Sequence, residues 1–172
     1  MFNLDGKTAL VTGATGGIGG AIAKSLHAQG ATVGISGRNE GKLKALADEL
    51  GDRVHVLPAD LSAEGAVDAL VKAAEEAMGQ IDILVNNAGI SPKGGTELTT
   101  QPDTIFEDIL QVNLFGPYLC TKRMLPVLQK AESPRVVNIG SSLGIMSPDL
   151  KGAYSISKAA LHALSVSFDT NI

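Results

Sequence analysis

The chain switches repeatedly between short apolar runs that close on a turn and longer segments with helical spacing. No other feature restricts its fold as much. The runs are KTALVTG (residues 7–13), ATVGISG (31–37), RVHVLPAD (53–60), IDILVNNAG (81–89) and PRVVNIGSS (134–142). Read as strands they are largely apolar rather than alternating, which predicts burial on both faces in a parallel sheet covered by helices on either side. Right-handed crossovers then leave essentially the doubly wound α/β arrangement. One helix is expected to run to Gln29 and stop at Gly30, and a second opens on Asn39 and closes on Gly51. A third is capped by Ser62 and runs to about Met78, before Gly79. Thr100 and Pro102 open another helical stretch, and two more are expected over 116–130 and 153–168. Hydrophobic residues are 44% of the 172 but aromatics only 3%, so the core must be aliphatic. The length suits a single domain spanning 1–172.

Several function classes are disfavoured. A net charge of -4 offers no basic footprint for nucleic acid or an anionic membrane. A single cysteine, Cys120, rules out an internal disulfide, fits a reducing compartment, and reads as a small core residue. MFNLDGK is unlike a signal peptide and no apolar run is long enough to span a bilayer, so the expected location is the cytoplasm. His27, His55 and His162 are scattered without acids or cysteine at ligand spacing, so no metal is expected. The charges of GKLKALADEL and KAAEEAM read as solvated helix faces. The polar loop SPKGGTELTTQPD (91–103) reads as a segment near a ligand.

Three places carry chemistry. In TGATGGIG (12–19), Gly13, Gly17 and Gly19 fall on a strand-to-helix turn, where missing side chains let backbone N–H groups approach an anion and the helix presents its positive end. A plain tight turn needs one glycine or two, not three in register, and a pyrophosphate is the natural guest. A phosphotransferase P-loop is absent from the sequence. At the end of the second strand, an acid would accept hydrogen bonds from a ribose and repel a 2′-phosphate. Gly37 stands there instead, followed by Arg38, whose guanidinium suits a phosphate. NADP(H) is therefore favoured, while Glu40 close by leaves NAD(H) open. Finally, Tyr154 and Lys158 lie one helical turn apart on one face. Bringing a phenol from about 10 to neutrality requires roughly 4 kcal/mol. An ammonium about 4 Å away, at an effective dielectric of about 20, supplies on the order of that amount, so the pair can serve as proton donor and acceptor.

TGATGGIG, NNAG, VNLFG, NIGSS and YSISK, in this order and spacing, resemble the classical short-chain dehydrogenase/reductases over residues 7–164. The first ninety residues look most like bacterial 3-oxoacyl-acyl-carrier-protein reductases. The resemblance implies a Rossmann sheet in order 3-2-1-4-5. It also implies roles for individual residues. Tyr154 would be general acid in carbonyl reduction and base in alcohol oxidation. Lys158 would lower its pKa and hold the nicotinamide ribose, and Ser141, ranked ahead of Ser142, would hydrogen-bond the substrate oxygen. Asn113 would interrupt its helix to hold a water that relays protons to Lys158. Cofactor contacts would come from Gly13, Thr15, Gly17, Ile18 and Gly19 of the turn and from Arg38. Asp60 and Leu61 would meet the adenine, while Asn87, Ala88 and Gly89 would pass under the adenosine ribose. Asn86 would brace the sheet.

The family continues past the last helix through two more strands, so the resemblance implies a C-terminally incomplete domain with strand five as an open edge. Two functions follow from this. One is an NADP(H)-dependent carbonyl reductase or alcohol dehydrogenase acting on a small carbonyl or alcohol, with NAD as the other possible cofactor. The other is a non-catalytic dinucleotide-binding or dimerising remnant of such an enzyme. The apolar residues of the last helix (Ala159, Leu161, Ala163, Leu164, Val166, Phe168) and the family's habit of pairing this helix with its copy imply a homodimer or homotetramer.

Overall fold

The computed structural model describes residues 3–92, 97–146 and 152–168. Five parallel strands, β1 (Thr8–Val11), β2 (Thr32–Gly37), β3 (Val54–Pro58), β4 (Ile83–Asn86) and β5 (Arg135–Asn138), form one sheet in the order β3-β2-β1-β4-β5. β1 is central, with Ala9 in register with Val33 on one side and Ile83 on the other.

Neighbouring residues of β1 point to opposite faces, as the pleat requires. Ala9 and Val11 join Val33, Ile35 and Val85 beneath α1 (Gly17–Ala28) and α2 (Glu40–Leu50), which contribute Ala23, Leu43 and Leu46. Leu10 and Leu84 join α3 (Ala66–Met78) and α5 (Gly116–Leu128) on the other face, through Val67, Leu70, Cys120, Met124 and Leu128. Cys120 is fully enclosed there, and burial pushes its thiol up to about 12.

Local signals explain most boundaries. Asn39 caps α2 by accepting the Lys42 N–H at 2.9 Å, and Gly51 ends that helix at φ 83°. α4 (Asp103–Leu110) starts after Pro102 and passes through a π-helical turn, Gln111–Phe115, into α5. α6 (Gly152–Phe168) closes the described chain. One expectation fails. Ser62 does not cap α3, which begins at Ala66 after Gly65 at φ 72°. Ser62 Oγ instead donates to Asp60 Oδ1 at 2.7 Å, so the hydroxyl that would have capped the helix is spent on the preceding turn. Strand β5 also departs from burial on both faces. Among the described residues it pairs only with β4, and Arg135 and Val137 are exposed, as befits an edge. Among the described residues no helix is long and apolar enough to cross a membrane.

At the amino ends of the strands a buried carboxylate closes the sheet. Asp82, just before β4, accepts from the Thr8 N–H (2.9 Å), Thr8 Oγ1 (3.1 Å), Lys7 Nζ (3.1 Å) and Gln80 Nε2 (3.1 Å). Burial works against its charge, but these donors prevail and hold its pKa below the ordinary value.

Candidate active site

The carboxyl ends of the strands open onto a cleft of about 970 Å³. Its floor is locked from beneath. Thr12 Oγ1 donates to Val85 O (3.2 Å) and accepts the N–H groups of Asn87 and Ala88 (3.1 Å each). Asn87 Nδ2 returns two bonds, to Thr12 O (2.9 Å) and Gly13 O (3.1 Å). The loop after β4 and the turn after β1 are thus one unit.

The three glycines of that turn have different duties. Gly13 holds φ 65°, and a Cβ there would come 2.8 Å from Ala88 Cα. A Cβ on Gly19 would collide with Asn87 Nδ2 and Gly13 O. Both are required by the protein's own packing. A Cβ on Gly17 would meet nothing within 4 Å, so the fold has no need of a glycine there. Gly17 is also the first residue of α1, whose N-cap Gly16 offers no side chain to the first-turn N–H groups. A bare surface over free N–H donors at a helix start fits a pyrophosphate.

The adenosine end is built at the corner of β2 and α2. Gly37 lies against Thr15, and a Cβ there would approach Thr15 Oγ1 to 3.2 Å. Arg38 lines the cleft beside it. Glu40 lines it too, but is paired to Lys44 at 2.8 Å. Across the corner Asp60 accepts from Ser62 Oγ and N, which lowers its pKa, with a smaller contribution from the Arg38 charge. Leu61 lines the cleft while packing into the core.

At the other end, Tyr154 and Lys158 of α6 both face the cleft. Lys158 Nζ stands 5.8 Å from the Tyr154 ring centroid and donates to Ile139 O at 2.7 Å. Lys158 is 4% exposed, and burial lowers its pKa. Asn113, on the π-helical turn, is fully buried behind the cleft wall. Its Oδ1 accepts the Ile90 N–H (2.7 Å), and its Nδ2 donates to Ile90 O (2.9 Å) and Ser157 Oγ (3.0 Å). Ser157 Oγ donates in turn to Tyr154 O at 2.7 Å. Ser141 Oγ accepts the Leu143 N–H at 3.2 Å.

All the expected cofactor residues (Gly13, Thr15, Gly17, Ile18, Gly19, Arg38, Asp60, Leu61, Asn87, Ala88, Gly89, Tyr154 and Lys158) line this one cleft. Asn113 and Ser141 do not line it; they stand behind and beside it. Asn86 Nδ2 donates to Thr121 Oγ1 of α5 and to Asn138 Oδ1 of β5. Sequence reasoning missed Thr12, Lys42 and Ser157. Thr12 was legible as a hydroxyl at the end of a buried strand, and Lys42 as a cation four residues after Arg38. Ser157 gave no signal. Of the loop 91–103, residues 93–96 lie outside the described residues; Ser91 lines the cleft. Among the described residues no cluster of His, Cys, Asp and Glu could hold a metal.

The short chain dehydrogenase family model matches residues 7–171. The chain belongs to the short chain dehydrogenase family. It is 42% identical over 172 residues to nodulation protein G of Rhizobium meliloti, covering 100% of this chain and 69% of that one. It is also 42% identical over 172 residues to the rhamnolipids biosynthesis 3-oxoacyl-acyl-carrier-protein reductase of Pseudomonas aeruginosa, covering 95% of this chain and 66% of that one. A crystal structure of a short chain dehydrogenase/reductase from Burkholderia phymatum, in complex with NAD, superposes with a TM-score of 0.93 at 32% identity. That match covers 100% of this chain and 62% of the solved one.

Proposed function

We propose that this chain is one dinucleotide-binding domain over 1–172 that binds NADP(H), transferring a hydride to or from a carbonyl or secondary alcohol. The observation that carries the reading is the shared cleft: the anion-seeking turn at Gly17 and the Tyr154–Lys158 pair open onto one continuous space. When bound, the cofactor supplies the hydride. Everything else falls to the chain. Tyr154 gives its phenolic proton to the substrate oxygen in reduction and takes it back in oxidation. Lys158, anchored by Ile139 O, holds positive charge near the phenol and is within the cleft to reach a ribose hydroxyl. Ser141 offers a second donor to the substrate oxygen. Through its bonds to Ile90 and Ser157, Asn113 fixes the cleft wall and α6 relative to each other, and it would hold the water that relays protons to Lys158. NADP(H) is preferred over NAD(H) because Gly37 carries no acid and Arg38 stands beside it. The Burkholderia relative holds NAD, so cofactor choice rests on this corner alone.

The test is NADPH oxidation with a panel of 3-ketoesters. Tyr154→Phe removes the proton without changing shape and should lower turnover by about 100-fold or more while sparing cofactor binding. A Tyr154→Phe protein that kept most of its rate would sink the mechanism. The exposed apolar side chains of Ile156 and Val166 on α6 also support assembly with a second copy of the chain. Light scattering across a dilution series should show a dimer or tetramer.

A further inference from the structure

Arg38 leaves an electrostatic problem at the β2–α2 corner. A ribose 2′-phosphate is a monoester carrying about −1.5 to −2 charges near neutrality, so a single guanidinium leaves it about half-neutralised. Two carboxylates, Glu40 and Asp60, line the same end of the cleft.

The geometry points to Lys42 as the second cation that recognises this phosphate and thereby sets cofactor choice; the inference rests on the NADP(H) reading of the cleft. Lys42 lines the cleft from the first turn of α2. Its backbone is fixed there, because its N–H is held by the Asn39 cap at 2.9 Å. Among the described residues neither Lys42 nor Arg38 forms an ion pair with a carboxylate. The acids that might compete are occupied: Glu40 by Lys44 at 2.8 Å, and Asp60 by two bonds from Ser62. Thr15 packs against Gly37, the position where an acid would repel the phosphate, and would crowd a Cβ there at 3.2 Å. Two cations without a carboxylate ion pair thus face one corner, with Glu40 tied to Lys44 and Asp60 hydrogen-bonded by Ser62. A dianion matches that arrangement, and an uncharged ribose hydroxyl does not use it.

Isothermal titration of the whole chain with adenosine 2′,5′-bisphosphate and adenosine 5′-monophosphate isolates the contribution of that one phosphate without any need for turnover. The wild type should prefer the bisphosphate strongly at low salt. Lys42→Met should cut the preference about tenfold, the worth of one charge-assisted hydrogen bond, and Arg38→Met should cut it at least as much. Lys42→Arg should keep it, and monophosphate affinity should stay constant throughout. Both side chains are exposed, so the variants should fold, and monophosphate binding is the internal control. If Lys42→Met retained the full preference while Arg38→Met abolished it, the inference would be overturned and the NADP(H) reading would stand. A wild type with no preference for the bisphosphate would overturn the reading and the inference with it.

Discussion

The two ends of the sheet treat polar groups in opposite ways. At the amino ends, Asp82 gathers four donors onto one buried carboxylate. At the carboxyl ends, α1 begins on bare glycines with no side-chain cap, and Arg38 and Lys42 stand without ion-pair partners among the described residues. A buried polar group that is fully satisfied specifies structure; donors left free in a cleft are reserved for something that arrives later. The same strands carry both, so the difference lies in the few residues at their tips.

That contrast yields predictions for each end. The largest effect should come from Asp82→Ala, which strands the Thr8 N–H and takes the partner from Lys7 and Gln80 at a part-buried site. It should cost about 3 kcal/mol, read from the denaturation midpoint, while dinucleotide affinity of the folded protein holds. Loss of affinity without loss of stability would mean that the two ends are not independent. Next come two identical changes in one turn. Gly19→Ala should destabilise by about 1–3 kcal/mol, because its Cβ collides with Asn87 and Gly13. Gly17→Ala should leave stability unchanged or raise it by up to about 1 kcal/mol, yet weaken dinucleotide binding about tenfold. Equal effects of the two on stability would show that Gly17 is a packing residue after all.

The smallest effect is the pH dependence of Asp82. Its folded pKa is depressed below the ordinary 3.8, so the folded state binds fewer protons than the unfolded one in that range. Its stabilisation is therefore fully present above about pH 5 and fades as pH falls through the folded pKa. Acid denaturation curves of wild type and Asp82→Asn should converge at the acid end and separate above it.

How much of this was legible depends on the reach of each signal. The sheet was readable because five apolar runs each carry their own pattern, and the helix caps at Asn39 and Gly51 are local in sequence. The cleft residues were readable because their motifs keep order and spacing. The distinction between Gly17 and Gly19 was not, since it depends on whether Asn87, some seventy residues away, stands above each. Asp82 sat unnoticed inside an apolar run because its partners Lys7 and Thr8 come from another strand. Ser62 misled for the opposite reason. Its spacing fits a cap, but Asp60 two residues earlier competes for the same hydroxyl. The charges of α2 read as a solvated face, yet their registry places Lys42 on the cleft and Lys44 against Glu40.

The chain's only cysteine turns the molecule into its own stopwatch. Cys120 lies on the α3–α5 side of the sheet with no exposure and a thiol pushed up to about 12. At mildly alkaline pH its reactive thiolate is on the order of one molecule in ten thousand, against roughly a quarter for a free thiol of pKa about 8.5. A thiol reagent therefore reacts only during moments when that side of the core comes apart. The rate of modification counts those openings directly in unlabelled wild-type protein, and a ligand seated over Gly17 should slow the count in proportion to its occupancy.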